Sequence, residues 1–251
     1  MSAVAVLESE RIKLSTTRSV LWTSAAIAVL SIGLAALQGS TAYGSSLPPE
    51  RAATGVAVFG VPVLMILAAM TVTGEYRSGM IRTTFMATPN RTLVLIAKAV
   101  VAAMFSAVYA AGLTIAAVLV GRLMAPPLVG SNLSLVDPGT WRLVGAISLF
   151  AALAAVLGVA VAALLRHSAG AVAVLLMWPL VAEPILGNLP NIGSEIGPYL
   201  PFGNAFLFTR VEWLYPVYDM PWGELGSLVY FTTIVAVVYA AAIVVVNRRD
   251  A

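Results

Sequence analysis

The 251-residue sequence contains no cysteine and a single histidine, His167. The lack of cysteine excludes disulfides, thiolate chemistry and cysteine-based metal sites, and one histidine cannot form a histidine cluster. Charged residues make up 10% of the chain, whereas soluble domains carry about 25%. The small basic excess is not arranged as a nucleic-acid-binding stripe. We therefore expect no bound cofactor or metal and no nucleic-acid partner.

The sequence has long apolar runs instead of charge. Hydrophobic residues account for 60% of the chain, and its mean hydropathy is +0.95. The runs are continuous, whereas the strands of a membrane β-barrel would alternate. Six of them are long enough to cross about 30 Å of hydrocarbon, and the sequence therefore predicts an all-α polytopic membrane protein in which residues 1–251 form one transmembrane domain. The predicted spans are 20–37, 55–72, 93–120, 141–165, 169–186 and 225–246.

Basic residues in the loops predict the orientation, because cytoplasmic loops are enriched in lysine and arginine. One side collects ten of them and the other side only four, so we expect the first side, and with it both termini, to be cytoplasmic. The inner set is Arg11, Lys13, Arg18, Arg77, Arg82, Arg91, Lys98, Arg166, Arg248 and Arg249, and the outer set is Arg51, Arg122, Arg142 and Arg210.

The lead segment, residues 1–19, has apolar residues near one helical face. This pattern predicts an amphipathic helix that lies in the inner headgroup layer, where basic residues meet anionic lipid. A solvated N-terminal tail is the alternative. The residues of the predicted apolar face are Ala3, Val4, Leu7 and Leu14.

The outer segment between the fifth and sixth spans, residues 188–224, is rich in proline, glycine and aromatic residues. Tryptophan and tyrosine at this density are typical of the membrane interface. A short helix over 204–215 would enter the bilayer edge and return, so the segment is predicted to be partly re-entrant. The alternative is an ordinary folded extracellular loop.

The cytoplasmic segment 74–92 separates the second and third spans. Glu75 and Arg77 directly follow the second span, while Ile81, Phe85 and Met86 lie among polar residues. Such a segment suits a short helix with a charged face and an apolar knob that docks on a soluble protein. The alternative is a basic loop that only sets the topology.

Glu183 is the one acidic residue within the six predicted spans. A carboxylate at this depth is costly unless it is paired or wetted, so Glu183 is a candidate residue of the translocation pathway. The alternative is a hydrogen bond to the following outer loop. With no second acid in the spans, an intramembrane enzyme is not expected.

Small residues at helical spacing predict close packing of the third and fourth spans. They are Ala103, Ala107 and Ala111 in the third span, and Ala154, Gly158 and Ala162 in the fourth.

Three stretches resemble ABC-2 type transporter permeases. The string Gly-Glu-Tyr-Arg-Ser-Gly-Met-Ile-Arg-Thr-Thr at 74–84, continuing through Pro89-Asn90-Arg91 to Lys98, resembles the family's loop between the second and third spans. The lead 8–14 and the outer segment Leu-Pro-Phe-Gly-Asn at 200–204 are also similar to that family. Together with the six-span plan, the resemblance covers essentially the whole chain.

The resemblance implies a coupling helix in the cytoplasmic segment, which contacts a nucleotide-binding subunit. On this basis we expect the coupling residues to be Glu75, Tyr76, Arg77, Ile81 and Arg82. A phosphate-binding loop needs a Gly-Lys pair, and none occurs here. The chain is thus expected not to be an enzyme; a partner ATPase would bind ATP and magnesium.

The resemblance also implies export across a bacterial inner membrane by two permease chains surrounded by membrane lipid. We expect a homodimer rather than a heterodimer. A membrane transporter that works without an ATPase, or a membrane scaffold subunit, is the alternative.

Overall fold

The structure, a computed structural model, describes residues 2–43, 47–212, 214–216, 218 and 220–248. It is 83% helical, and this part of the chain contains no strand. Arg249, which belongs to the inner basic set, lies outside the described residues.

Six helices are long and apolar enough to cross a membrane, with mean hydropathies between 1.9 and 2.6. They confirm the six predicted spans, because apolar length alone identifies such helices. The first to sixth spans are Arg18–Ser40, Val56–Ser78, Arg91–Met124, Pro138–Leu165, Ser168–Gly187 and Glu224–Arg248.

The segment after the second span, which is predicted to be cytoplasmic, contains a sharp corner. The second span continues to Ser78, six residues beyond its predicted end, and Gly79 ends it with a left-handed φ of 72°. Glycine adopts this conformation without the steric cost that a Cβ brings. A short helix then runs over Met80–Ala87, which we call the inner helix. Asn90 starts the third span by accepting a hydrogen bond from the Leu93 amide at 3.0 Å.

Two spans each contain one widened, π-helical turn, over Val56–Gly60 and Trp178–Ala182. In both cases a proline, Pro62 or Pro184, follows two residues after the turn. Proline lacks the amide hydrogen and its ring clashes with the carbonyl four residues earlier. That carbonyl lies inside the π-helical turn in both spans, so the wider turn accommodates the clash without ending the helix.

The fourth span lies at the centre of the bundle and packs against the second, third and sixth spans. The first span packs on the third, and the fifth packs on the second. Ala154, Gly158 and Ala162 of the fourth span are buried as predicted. In the third span the predicted Ala103, Ala107 and Ala111 are only partly buried, whereas the residues one position earlier, Ala102, Ser106 and Ala110, are buried.

Gly158 marks the closest approach of the second and fourth spans. A Cβ built at this position would lie 2.2 Å from the Met65 carbonyl oxygen, so Gly158→Ala must push the two helices apart. We expect the free energy of unfolding in detergent to fall by about 1–3 kcal/mol. Gly145→Ala, in the same helix with nothing within 4 Å, is the control and should not destabilise. Equal stabilities of the two variants would contradict the close contact.

The outer segment folds into short helices, Gly193–Ile196 and the 3₁₀ turn Gly197–Tyr199, followed by the outer helix Pro201–Thr209. The outer helix begins three residues before the predicted start, because proline suits the first helical position. It ends at Arg210, whose φ is 59°. Four phenylalanines hold it on the fourth and sixth spans with ring centroids 5.5–6.3 Å apart, namely Phe150, Phe202, Phe206 and Phe231. Its depth in the membrane stays a prediction.

Candidate coupling site at the inner helix

Four charged side chains form a cluster beside the inner helix. Lys98 Nζ lies 2.8 Å from Glu10 Oε2 and 2.7 Å from Glu75 Oε1. Lys13 Nζ lies 2.8 Å from Glu10 Oε1 and 2.8 Å from Glu75 Oε1. Each ammonium therefore bridges both carboxylates, and the four formal charges sum to zero. We call these residues the charge cluster.

The charge cluster joins three elements that are distant in sequence. Glu10 and Lys13 belong to the lead helix Ala3–Thr16, Glu75 to the end of the second span and Lys98 to the start of the third. Lys13 and Lys98 are the only two lysines of the sequence. A lysine ammonium is a compact charge with three donors on a flexible stem, and this suits it to bridge two carboxylates in a confined space.

Because the charge cluster is buried, each of its charges needs a partner of opposite sign. The side chain of Lys98 is 2% exposed, and those of Glu10 and Glu75 are 5% and 7% exposed. Unpaired charges at such positions would be very costly. Lys13 is the member open to solvent. Its burial lowers the pKa of the ammonium, but the hydrogen bonds with Glu10 and Glu75 outweigh this and leave the pKa raised.

The lead helix has one buried side and one exposed side. It packs against the third span, and its buried residues are Val6 and Glu10. Val4, assigned to the apolar face, is 75% exposed. Glu10 on the buried side pairs with Lys98, and contact of the apolar face with lipid stays a prediction.

The inner helix is attached to this framework at both ends. The Thr84 hydroxyl donates to Glu75 Oε2 at 3.4 Å, and Ile81 is buried. The Arg91 guanidinium lies 5.1 Å from the centroid of the Phe85 ring and donates to the Val246 carbonyl at 3.1 Å. A displacement of the inner helix would therefore reach the second span through Glu75 and the sixth span through Arg91.

The opposite side of the inner helix is open. Exposed residues on the helix and the corner before it combine positive charge with apolar methionine: Arg77, Met80, Arg82, Thr83 and Met86. Met86 is 74% exposed. Arg77 and Arg82 form no ion pair with the residues that the structure describes. We call these five residues the outward face.

The five predicted coupling residues thus separate into two groups. Arg77 and Arg82 lie on the outward face, where a soluble protein can reach them. Glu75 and Ile81 are buried, and Tyr76 is half-buried beneath the Arg166 guanidinium, 5.1 Å from its ring centroid. Glu75 and Ile81 can support the inner helix but are too buried to contact a partner in this conformation. Their part in coupling stays a prediction.

Sequence reasoning missed Glu10, Lys13 and Lys98 as partners of Glu75, and Met80 as part of the outward face. One signal was present for Lys98. It lies within a predicted apolar span, and an ionisable residue in such a place needs a partner. The sequence pattern uses Lys98 only to predict which side of the membrane is cytoplasmic.

Glu183 is fully buried and occupied by hydrogen bonds. The Phe202 and Gly203 amides donate to its Oε2 at 2.9 and 3.1 Å, and Trp178 Nε1 donates to Oε1 at 2.7 Å. The Tyr215 hydroxyl donates to Oε2 at 3.3 Å. This geometry matches the alternative that Glu183 binds the following outer segment. A place in the pathway stays a prediction.

Comparison with protein families identifies the chain. A family model described as ABC-2 family transporter protein matches residues 6–180, which include most of the lead helix, the charge cluster, the inner helix and most of the fifth span. Comparison with curated proteins gave no match. Members of this family are membrane transport components that are not themselves catalytic. The chain therefore belongs to the ABC-2 family and is a multi-pass membrane permease of an ABC transporter.

Proposed function

We propose that this permease exports its substrate and takes energy from a separate ATPase subunit that binds the outward face. The observation that carries the proposal is the exposure of Arg77, Arg82 and Met86 on the inner helix and the corner before it, while Glu75 and Ile81 fix the inner helix to the bundle. The exposed side of the inner helix thus suits contact with a partner protein, and its buried side suits a rigid connection to the bundle.

The partner's surface follows from the chemistry of the outward face. Arg77 and Arg82 require acidic groups, and Met80 and Met86 suit an apolar pocket, since methionine adapts to irregular surfaces. Complementary charge fixes the register of such a contact even where its net energy is small. The partner would hold ATP and magnesium, and closure around ATP would displace the inner helix.

The charge cluster would transmit this displacement. Because each lysine bridges both carboxylates, the lead helix, the second span and the third span cannot separate without breaking short ion pairs. The inner helix is bonded to the cluster through Thr84. Glu75 is then a positioning residue that acts through the inner helix, and not a residue that contacts the ATPase.

The remaining features of the proposal follow from topology and family. The inner helix would face a cytoplasmic ATPase, so both termini would lie in the cytoplasm. The family resemblance favours a bacterial inner membrane. Two copies of this chain would form the pathway as a homodimer.

Reversing the charge of the outward face tests the ATPase contact. We expect Arg77→Glu combined with Arg82→Glu to weaken binding of the cognate ATPase about tenfold or more, because acidic partner groups would then face like charge. The measurements are co-purification of the ATPase and ATP-driven transport in reconstituted vesicles.

The control is Arg248→Glu, which makes the same kind of change at an exposed residue near the end of the sixth span. It should leave binding and transport intact. If the double variant binds the ATPase like the control, the outward face is not the contact. Transport that proceeds equally without any ATPase would favour a transporter that works alone.

A further inference from the structure

A groove of about 930 Å³ lies on the side of the bundle, between the lead helix, the first span and the third span. Its walls include Leu14 of the lead helix, Val20 of the first span and Met104, Val108 and Leu113 of the third span. The volume is in the range of sites that hold a small-molecule ligand, about 300–1,000 Å³. The proposed coupling does not use this groove.

The groove is polar at one end and apolar along the rest. Its charged residues, Glu8 and Arg11, lie on the lead helix and pair with each other at 2.6 Å. Both side chains are at least half exposed, so a ligand can reach the guanidinium. The long walls on the two spans are mostly apolar, with aliphatic residues and the aromatic rings of Phe105 and Tyr109. This distribution suits an amphiphile with a charged head and a hydrocarbon tail.

The length of the groove matches one membrane leaflet. Its lining on the third span runs from Val100 to Leu113, which corresponds to about 20 Å of helix at 1.5 Å per residue. One leaflet with its headgroups is half of a bilayer about 40–45 Å thick. The lining begins two residues after Lys98, where the charge cluster fixes the lead helix, so the lead helix closes the cytoplasmic end.

One wall of the groove contains a serine and a tyrosine. The Oγ atom of Ser24 is buried and has no hydrogen-bond partner within the described residues. Ser24 and Tyr109 both line the groove, and the Tyr109 hydroxyl donates to the Ser24 carbonyl at 2.6 Å. A buried hydroxyl without a partner is costly.

We propose that the groove binds one phospholipid of the cytoplasmic leaflet. Its phosphate is held by Arg11, and an acyl chain lies along Met104, Val108 and Gly112. A transmembrane helix of a second copy fits less well, because it would have to continue past the lead helix that closes the groove. This site is independent of the ATPase contact, and the bound lipid would support the lead helix from the side opposite Lys98.

Gly112 allows the groove to be filled from within. A Cβ at Gly112 meets nothing within 4 Å, and the residue lines the groove. The purified full chain would be titrated in detergent with dioleoyl phosphatidylglycerol, and bound lipid counted by native mass spectrometry. We expect one lipid per chain for the wild type, and at least tenfold weaker binding for Gly112→Phe. Gly145→Phe, at an equally open position outside the groove, is the matched control and should bind like the wild type.

Two further variants separate lipid binding from misfolding. Gly112→Ala leaves most of the groove open and should retain the lipid. Arg11→Gln should weaken binding about tenfold, because a hydrogen bond to a charged group is lost. Glycerol 3-phosphate alone should not compete, since it lacks the acyl chain.

Some results would overturn the site. Equal lipid affinity of Gly112→Phe and Gly145→Phe would contradict lipid binding in the groove. Competition by glycerol 3-phosphate would indicate a simple phosphate site, and unchanged lipid binding with loss of the dimer in Gly112→Phe would make the groove an interface between copies.

Discussion

Replacing Lys98 with methionine is expected to lower the free energy of unfolding by about 2–4 kcal/mol. Removing one partner of a buried ion pair costs about 3–5 kcal/mol, because the other charge stays buried without compensation. Here Glu10 and Glu75 keep Lys13, whose side chain is 38% exposed. Solvent at that edge reduces the cost. Methionine nearly matches the volume of lysine, so the loss reports on charge rather than on a cavity.

A double-mutant cycle separates the interaction energy of Lys98 with Glu75 from the general effect of each single change on stability. Lys98→Met leaves the charge cluster with one excess negative charge, and Glu75→Gln restores neutrality. We therefore expect Lys98→Met with Glu75→Gln to be more stable than the sum of the two single changes predicts, by at least about 1 kcal/mol. Stability is measured by denaturant unfolding in detergent. An unchanged unfolding free energy for Lys98→Met, or strict additivity, would contradict the cluster.

The fold class could be predicted from sequence because hydrophobic length is a local property. Each predicted span contains enough consecutive apolar residues to identify it whatever its neighbours are. Helix ends were less accurate where charge is involved. The second span was expected to stop at Val72, before Glu75. It continues to Ser78 because Lys98 and Lys13 neutralise that carboxylate.

The candidate site was less predictable because its partners are distant in sequence. Glu75 is 62 residues from Lys13 and 23 from Lys98, and no periodicity connects them. Local pattern showed that segment 74–92 contains a helix with charged and apolar sides. It could not show that Glu75 turns inward while Arg82 turns outward, since this depends on which helix packs behind it.

The same limit applies to Glu183, whose neighbours come from the outer segment. The outer helix has Leu200 at its N-cap position, and leucine offers no oxygen to the first amides. Those amides would remain unsatisfied at a buried helix end. Glu183 of the fifth span supplies the missing acceptor, so it replaces a capping residue from another part of the chain.

Replacing Glu183 with alanine is therefore expected to be the most damaging change in the outer half. Three donors lose their acceptor, from Trp178, Phe202 and Gly203, whereas the Tyr215 hydroxyl keeps the Pro179 carbonyl at 3.2 Å. A buried donor without a partner costs about 1–3 kcal/mol, and the losses are not additive. We expect a fall of about 3–5 kcal/mol in the free energy of unfolding, with faster proteolysis of the outer segment.

Glu183→Gln distinguishes the structural role from a place in the pathway. Glutamine keeps one oxygen for the Phe202 and Gly203 amides, but its amino group faces a donor such as Trp178. The burial of Tyr215, together with Glu183, raises the pKa of its hydroxyl, which therefore remains a donor. We expect Glu183→Gln to lose about 1–2 kcal/mol. Transport should fall only as far as stability does.

The matched control for both changes is Glu195→Ala. Glu195 lies in the same outer segment but is exposed, so its loss should change the unfolding free energy by no more than about 0.5 kcal/mol. If Glu183→Ala is as stable as this control, the capping role is wrong. If Glu183→Gln is fully stable yet blocks transport, Glu183 belongs to the pathway after all, because only a group that meets the substrate would then explain the loss.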